Sequence, residues 1–206
     1  MKNYKSTIIR KYGTDVVVHR YLGDMVATRT PTRALLGRAT RTNTNLETSE
    51  SQKEGIFLPD FDIDGGDFVI NTKHNEDYVV VTTHQEYDGN LVLSIVTNLM
   101  KCNHKLTLNG NTKIADERGN LKTVFGSKYT DVPCYLEHVS SKLRQFMPGL
   151  SPDTEHLIYT TDLNIELVDQ IVIIAGQRKS LFKVVALDYT SFPNLVVIEV
   201  AKDVRK

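Results

Sequence analysis

One segment of this chain occurs twice, and that repetition limits the folds open to it. The first copy is Ile56-Phe57-Leu58-Pro59-Asp60-Phe61-Asp62-Ile63-Asp64-Gly65-Gly66-Asp67-Phe68-Val69-Ile70, and the second runs from Ile158 to Val172. The offset is constant, since 158 − 56 = 102 and 169 − 67 = 102. Asp60 falls on Asp162, Asp62 on Asn164, Asp64 on Glu166 and Asp67 on Asp169. Each copy reads as a short strand, an acidic turn and a second strand. A repeat of this length implies two copies of one domain and not a solenoid of short units.

The likeness continues beyond the turn. Tyr78-Val79-Val80-Val81 resembles Phe182-Lys183-Val184-Val185, and Asn90-Leu91-Val92-Leu93 resembles Asn194-Leu195-Val196-Val197. The offset there is 194 − 90 = 104, which places two extra residues in a hairpin of the second copy. Hairpin tips sit in solvent and tolerate such insertions. The expected units are 1–101 and 102–206.

Around the repeat the chain is rich in β-branched runs and turn signals. Lys2 to Tyr12 is expected to be a short helix, with Gly13 as its stop. Val16–Arg20 follows as a strand, with His104–Leu108 as its counterpart in the second half. Asp88-Gly89-Asn90 is a hairpin signal between Val79–Thr83 and Leu91–Val96. Val132–Glu137 reads as a short strand, and Pro133, which cannot donate to a ladder, points to an edge or a strand start. Ser140 to Pro152 reads as a polar loop. The fold class is therefore mainly β: two similar small β-barrel or sandwich units, a short N-terminal helix and a long loop.

That loop is expected from Val26 to Glu54, which is rich in Thr, Asn, Ser and Arg. Its charge is split: Arg29, Arg33, Arg38 and Arg41 come first, and Glu47, Glu50 and Glu54 follow. Long loops in compact domains are either functional or solvated and mobile. A functional arm of this kind would order against a neighbouring subunit or line a channel.

Candidate chemistry is sparse. Asp60-x-Asp62-x-Asp64-Gly65 resembles the start of a calcium loop, where alternate carboxylates supply oxygen ligands. The twelfth position is Asn71 instead of a bidentate Glu, and the second copy has Leu167 in place of Gly65. The competing reading is a turn whose Asp side chains accept backbone N–H groups. The six histidines form neither H-x-H nor H-E-x-x-H, and the two cysteines, Cys102 and Cys134, fit no zinc spacing. No G-x-S-x-G elbow and no phosphate loop occurs. No enzymatic activity and no cofactor is expected. Lys+Arg and Asp+Glu are 25 each, so the chain lacks the positive surplus of a general nucleic-acid coat. Met1–Lys5 lacks an apolar signal core, and no run approaches the ~20 apolar residues of a membrane span, so a soluble protein without membrane partners is expected.

Taken together, the chain resembles neck proteins of long-tailed bacteriophages, of the head-closure (stopper) class of head–tail connectors. The residues that carry the resemblance are the helix before Gly13, the strand Val16–Arg20, the long loop, and Leu58-Pro59-Asp60 leading into Asp64-Gly65-Gly66-Asp67. The second half also resembles minor structural proteins of phages of Gram-positive hosts. There the matching pieces are Cys102-Asn103-His104-Lys105-Leu106-Thr107-Leu108, Gly119-Asn120, Phe182-Lys183-Val184 and Thr190-Ser191-Phe192-Pro193.

The resemblance implies a non-enzymatic virion protein, made in the host cytoplasm, that assembles as a six-fold or twelve-fold ring. Such a ring would seal the portal channel, help retain packaged DNA and dock the tail. Its partners would be its own subunits, the portal or adaptor protein, a tail terminator or tail protein, and DNA in the channel. Arg29, Arg33, Arg38 and Arg41 would then face phosphate or acidic partners, and Glu47 and Glu50 would pair with a neighbouring arm. Three other readings compete: a minor tail or baseplate adaptor, a metal-dependent β-barrel enzyme, and a monomeric binding module for single-stranded nucleic acid.

Overall fold

The computed structural model describes residues 4–22, 25–38, 52–115 and 119–204. Helix α1 (Tyr4–Tyr12) comes first, followed by β1 (Thr14–Leu22), β2 (Met25–Arg38), β3 (Gln52–Phe57), β4 (Phe68–Asn71), β5 (Glu76–Asp88) and β6 (Leu91–Lys101). The second half has β7 (His104–Ala115), β8 (Leu121–His138), helix α2 (Ser141–Phe146), β9 (His156–Thr161), β10 (Gln170–Ala175), β11 (Arg178–Asp188) and β12 (Leu195–Lys202). Two compact units result: Met1–Cys102 with Thr190–Leu195, and Asn103–Tyr189 with Val196–Lys206.

Each half closes into a six-stranded barrel. The strand order is β1-β2-β3-β6-β5-β4 in the first and β7-β8-β9-β12-β11-β10 in the second. The two orders are identical once the copies are matched strand for strand. Closure leaves no sheet edge at the barrel wall, which removes the usual liability of exposed strand edges. Inward positions are filled by β-branched and aromatic side chains. In the first barrel Val16, Val18, Ala34, Phe57, Ile63, Val69, Tyr78, Val80, Ile95 and Leu99 form one cluster. Leu106, Leu108, Leu157, Ile158, Ile171, Val184 and Val200 are buried in the second.

Strand register confirms the repeat and refines it. The β4–β5 pairs Phe68↔Val79 and Asn71↔Glu76 map onto Gln170↔Lys183 and Ile173↔Ser180, with offsets of 102 and 104. The two extra residues lengthen the β10–β11 hairpin. A bulge between Val80 and Thr82 recurs between Val184 and Ala186. The match of Asn90–Leu93 with Asn194–Val197 is out of register. Thr82 pairs with Asn98 and Ala186 with Glu199, so 199 − 98 = 101 is the structural offset in the last strand. The second copy therefore has a shorter final hairpin, and runs of Val and Leu cannot reveal such a slip.

Val26–Glu54 is not one long loop. Residues up to Arg38 belong to β2, and Gln52 begins β3. Strand β2 pairs with β1 from Thr14↔Ala34 to Leu22↔Met25, and with β3 from Leu35↔Ile56 to Arg38↔Lys53. Its Thr and Arg residues suit a strand with one face in solvent, which needs few apolar residues. The expected strand Val132–Glu137 is the end of the longer β8, and the expected polar loop after it contains α2.

Candidate functional site

The repeated acidic segment is a crossover and not a hairpin turn. In the order β1-β2-β3-β6-β5-β4, β3 and β4 lie opposite each other. The segment between them, 58–67, must therefore cross one end of the barrel. Ile63 drops into the core and Phe61 stacks on Phe57 with ring centroids 5.6 Å apart. The second copy does the same with Leu163 and Ile165, both buried.

A buried carboxylate holds each crossover. Asp67 Oδ2 accepts the Asp64 backbone N–H at 2.9 Å, and Asp169 Oδ2 accepts that of Glu166 at 2.9 Å. Each carboxylate also meets a cation. Arg20 donates from Nε to Asp67 Oδ1 at 2.9 Å and from Nη2 to Asp67 Oδ2 at 2.8 Å, and its Nη1 reaches Asp62 Oδ2 at 2.7 Å. These hydrogen bonds hold the guanidinium pKa well above its ordinary value. In the second barrel Lys128 Nζ donates to Asp169 Oδ2 at 2.9 Å and lies 3.6 Å from Glu166. Burial works against its charge, but the Asp169 and Glu166 carboxylates win and its pKa is raised.

The cation comes from different strands in the two copies. Val18 pairs with Val69 and Leu108 with Ile171, so β7 is offset from β1 by 108 − 18 = 90. The counterpart of Arg20 is then Gly110. Lys128 is the bulged residue of β8, since Leu108 pairs with Tyr129 and Asn109 with Ser127. Its stem runs over Gly110, where an added Cβ would lie 2.4 Å from Lys128 Cε. Sequence reading found both Asp residues and missed both cations, because nothing local ties Arg20 or Lys128 to a crossover so far along the chain.

The calcium candidates Asp60, Asp62 and Asp64 are exposed. Asp62 is held by Arg20, and Asp64 Oδ1 accepts the Gly65 N–H at 2.8 Å. Among the described residues no three His, Cys, Asp or Glu side chains gather closely enough to hold a metal ion. The segment is built around a cation of the chain itself.

Of the proposed arm residues, Arg29, Arg33 and Arg38 lie on one strand, β2. Arg29 is exposed on β2 opposite His19. Arg33 donates to Asp15 Oδ1 at 2.8 Å and to the Arg10 carbonyl, so it ties the end of α1 to the barrel. Arg38 is the last residue of β2, and Arg41, Glu47 and Glu50 lie outside the described residues. Helix α1 is further fixed by buried Ile9 and by the Lys5–Glu86 ion pair.

The structure adds an element that sequence reading missed. Strands β7 and β8 continue as a two-stranded ribbon from Gly110↔Gly126 to Ala115↔Leu121. β10 pairs with β7 only from Leu106 to Asn109, and β9 pairs with β8 only from Tyr135 to His138. The ribbon exposes Leu121 at 70 %, Ile114 at 52 % and Val124 at 40 %. The register puts Ile114 and Val124 on one face, Leu121 and Phe125 on the other. Asn109-Gly110-Asn111 has the composition of a turn, which hides the continuous strand from the sequence, and residues 116–118 lie outside the described residues.

No protein-family model matches the chain, and no curated protein matches it. A solution structure of protein SF1141 from Shigella flexneri 2a is similar over 51 % of this chain and 96 % of that one, with 14 % identity and a TM-score of 0.43. Among the described residues, no helix is long and apolar enough to cross a membrane.

Proposed function

We propose that the chain is a non-enzymatic structural protein of a phage virion, a head–tail connector subunit of the head-closure class that works in a ring. The observation that supports an assembling protein best is the β7–β8 ribbon. A two-stranded hairpin is marginal in water by itself, and this one exposes apolar side chains on both faces. Contact with a neighbouring subunit would cover them. The intersubunit element of this reading is thus the ribbon, in place of the arginine-bearing segment whose first part is a barrel strand.

The test is mass in solution by light scattering, for the protein alone and with portal and tail proteins of one phage. A ring, or a monomer that joins a portal-containing complex, is expected. A monomer that ignores every virion partner would overturn the reading. Recruitment by tail proteins alone would favour a tail adaptor instead.

A further inference from the structure

The open end of the second barrel, where β8 stops and β9 begins, carries a histidine pair. His138 and His156 are register partners, with ring centroids 5.1 Å apart. The His156 ring also packs edge-on against Phe182 of β11 at 5.3 Å. Its Nδ1 is buried and has no hydrogen-bond partner among the described residues. A neutral imidazole tolerates this, because one ring nitrogen carries no proton. An imidazolium does not: it has N–H groups on both nitrogens, and here one of them would point into a site without an acceptor.

The charges around this ring do not relieve the problem. On β8 the neighbour is His138, and on β7 it is His104, both of which disfavour a second positive charge. His104 Nδ1 lies 2.9 Å from Asn103 Oδ1. That oxygen also accepts the Leu136 N–H at 2.8 Å, which marks it as an acceptor and places the His104 proton on Nδ1. Among the described residues, the preceding residue, Glu155, is the one group that favours protonation, and it is exposed. Phe182 on β11 is uncharged, and its partner on β12 is the exposed Lys202. Asp203 beyond it accepts from Gln170 Nε2 at 2.7 Å. Burial, His138 and His104 together lower the His156 pKa below the ordinary imidazole value.

The same end holds α2. Leu143 of this helix is buried, and Arg144 donates to the carbonyls of Ser151, Pro152 and Thr154. Two backbone bonds frame the segment: Val139 N–H to Glu155 O at 2.9 Å and Glu155 N–H to Val200 O at 2.9 Å.

We propose that His156, set between His138 and Phe182, makes this end of the second barrel acid-labile: on protonation its ring leaves the site and the segment bearing α2 loosens from β9 and β12. The linkage runs in one direction. The native pKa is lowered, so the closed form is fully favoured above the ordinary imidazole value and loses stability as pH falls through it towards the native value. The first barrel has no such pair among its described residues and serves as the internal control.

The experiment is amide hydrogen exchange on the full chain at several pH values, corrected for intrinsic rates, with histidine titration followed by NMR. Protection of the Val139 and Glu155 amides should fall by about tenfold for each unit by which native His156 titrates below its unfolded value. His156→Phe keeps the contacts to His138 and Phe182 and should abolish that fall. The same fall in His156→Phe, or none in the unaltered protein, overturns the proposal. Should His156→Phe not fold, His138→Gln takes its place. It should move the His156 midpoint upward, and an unmoved midpoint overturns the proposal equally.

Discussion

At the scale of single residues, two buried carboxylates decide how the barrels close. Asp67 and Asp169 are shielded from water, and each needs its cation and its backbone donor. Removing the cation leaves an uncompensated buried charge, the costly half of any buried pair. Arg20→Met should therefore destabilise the first unit by about 3 kcal/mol and leave the second unaffected. Lys128→Met should do the reverse. Denaturant unfolding, read by amide exchange in each barrel, checks both. Arg33→Met removes an ion pair whose partner, Asp15, is largely in solvent together with a hydrogen bond to the Arg10 carbonyl, so it should cost about 1–2 kcal/mol, less than Arg20→Met.

The backbone of the crossover is equally particular. Gly66 has φ +80°, and Gly66→Ala should cost roughly 1–2 kcal/mol in the first unit by thermal unfolding. Val168, its counterpart, does not adopt a positive φ, so the two crossovers differ at this point. The repeated Asp residues were legible in the sequence, since identical residues recur at a fixed offset. The cations were not, because they stand at non-equivalent positions on distant strands.

Among the elements, helix α1 and its stop at Gly13 were legible from spacing. Gly13 N–H bonds Ile9 O at 2.9 Å, as a helix end requires. The hairpin at Asp88-Gly89-Asn90 was legible for a similar reason, and Gly89 has φ +59°. Strand β2 was hidden because Thr and Arg on its outer face look like loop composition. Helix α2 was hidden because six residues carry too little periodicity, although Ser140 caps it by accepting the Leu143 N–H at 3.2 Å.

The attachment of α1 has an acid limit. Lys5 and Ser94 hold the Glu86 carboxyl below its ordinary range. A depressed carboxyl stabilises the folded form above its unfolded pKa, and this contribution is lost as pH falls through the native value. Exchange of the α1 amides should therefore speed up in acid, and Glu86→Gln should remove the pH dependence. The ribbon makes the opposite kind of element, one that the barrel does not need. Leu121→Glu together with Val124→Glu should leave thermal stability unchanged within about 0.5 kcal/mol, since both residues are exposed. The same double variant should lower the mass of any assembly seen by light scattering.

For the whole molecule, the duplication determines the fold and the departures from it divide the labour. Both units share one strand order, a bulge at the same place in the fifth strand and a buried Asp at the end of the crossover. The first adds the N-terminal helix α1, and the second adds the short helix α2 and a ribbon. The two cysteines differ in the same way. Cys134 lies in the second core, and burial pushes its thiol up to about 12, while Cys102 is partly exposed. A thiol reagent at neutral pH should label Cys102 alone in the native protein, with Cys134 reacting only on unfolding, as mass spectrometry would show.

Gly110 and Lys128 also bear on how two such copies can diverge. Once the lysine stem covers the glycine, that site no longer accepts a side chain without displacing it. An arginine placed at 110 would meet the lysine stem that serves Asp169. A lysine lost from 128 would leave Asp169 with no arginine at 110 to take over. The two substitutions are therefore coupled, and the arrangement of the first barrel is reached in the second by changing both positions together. Chimaeras that exchange β1–β2 for β7–β8 as whole hairpins should succeed where grafts of either strand alone fail.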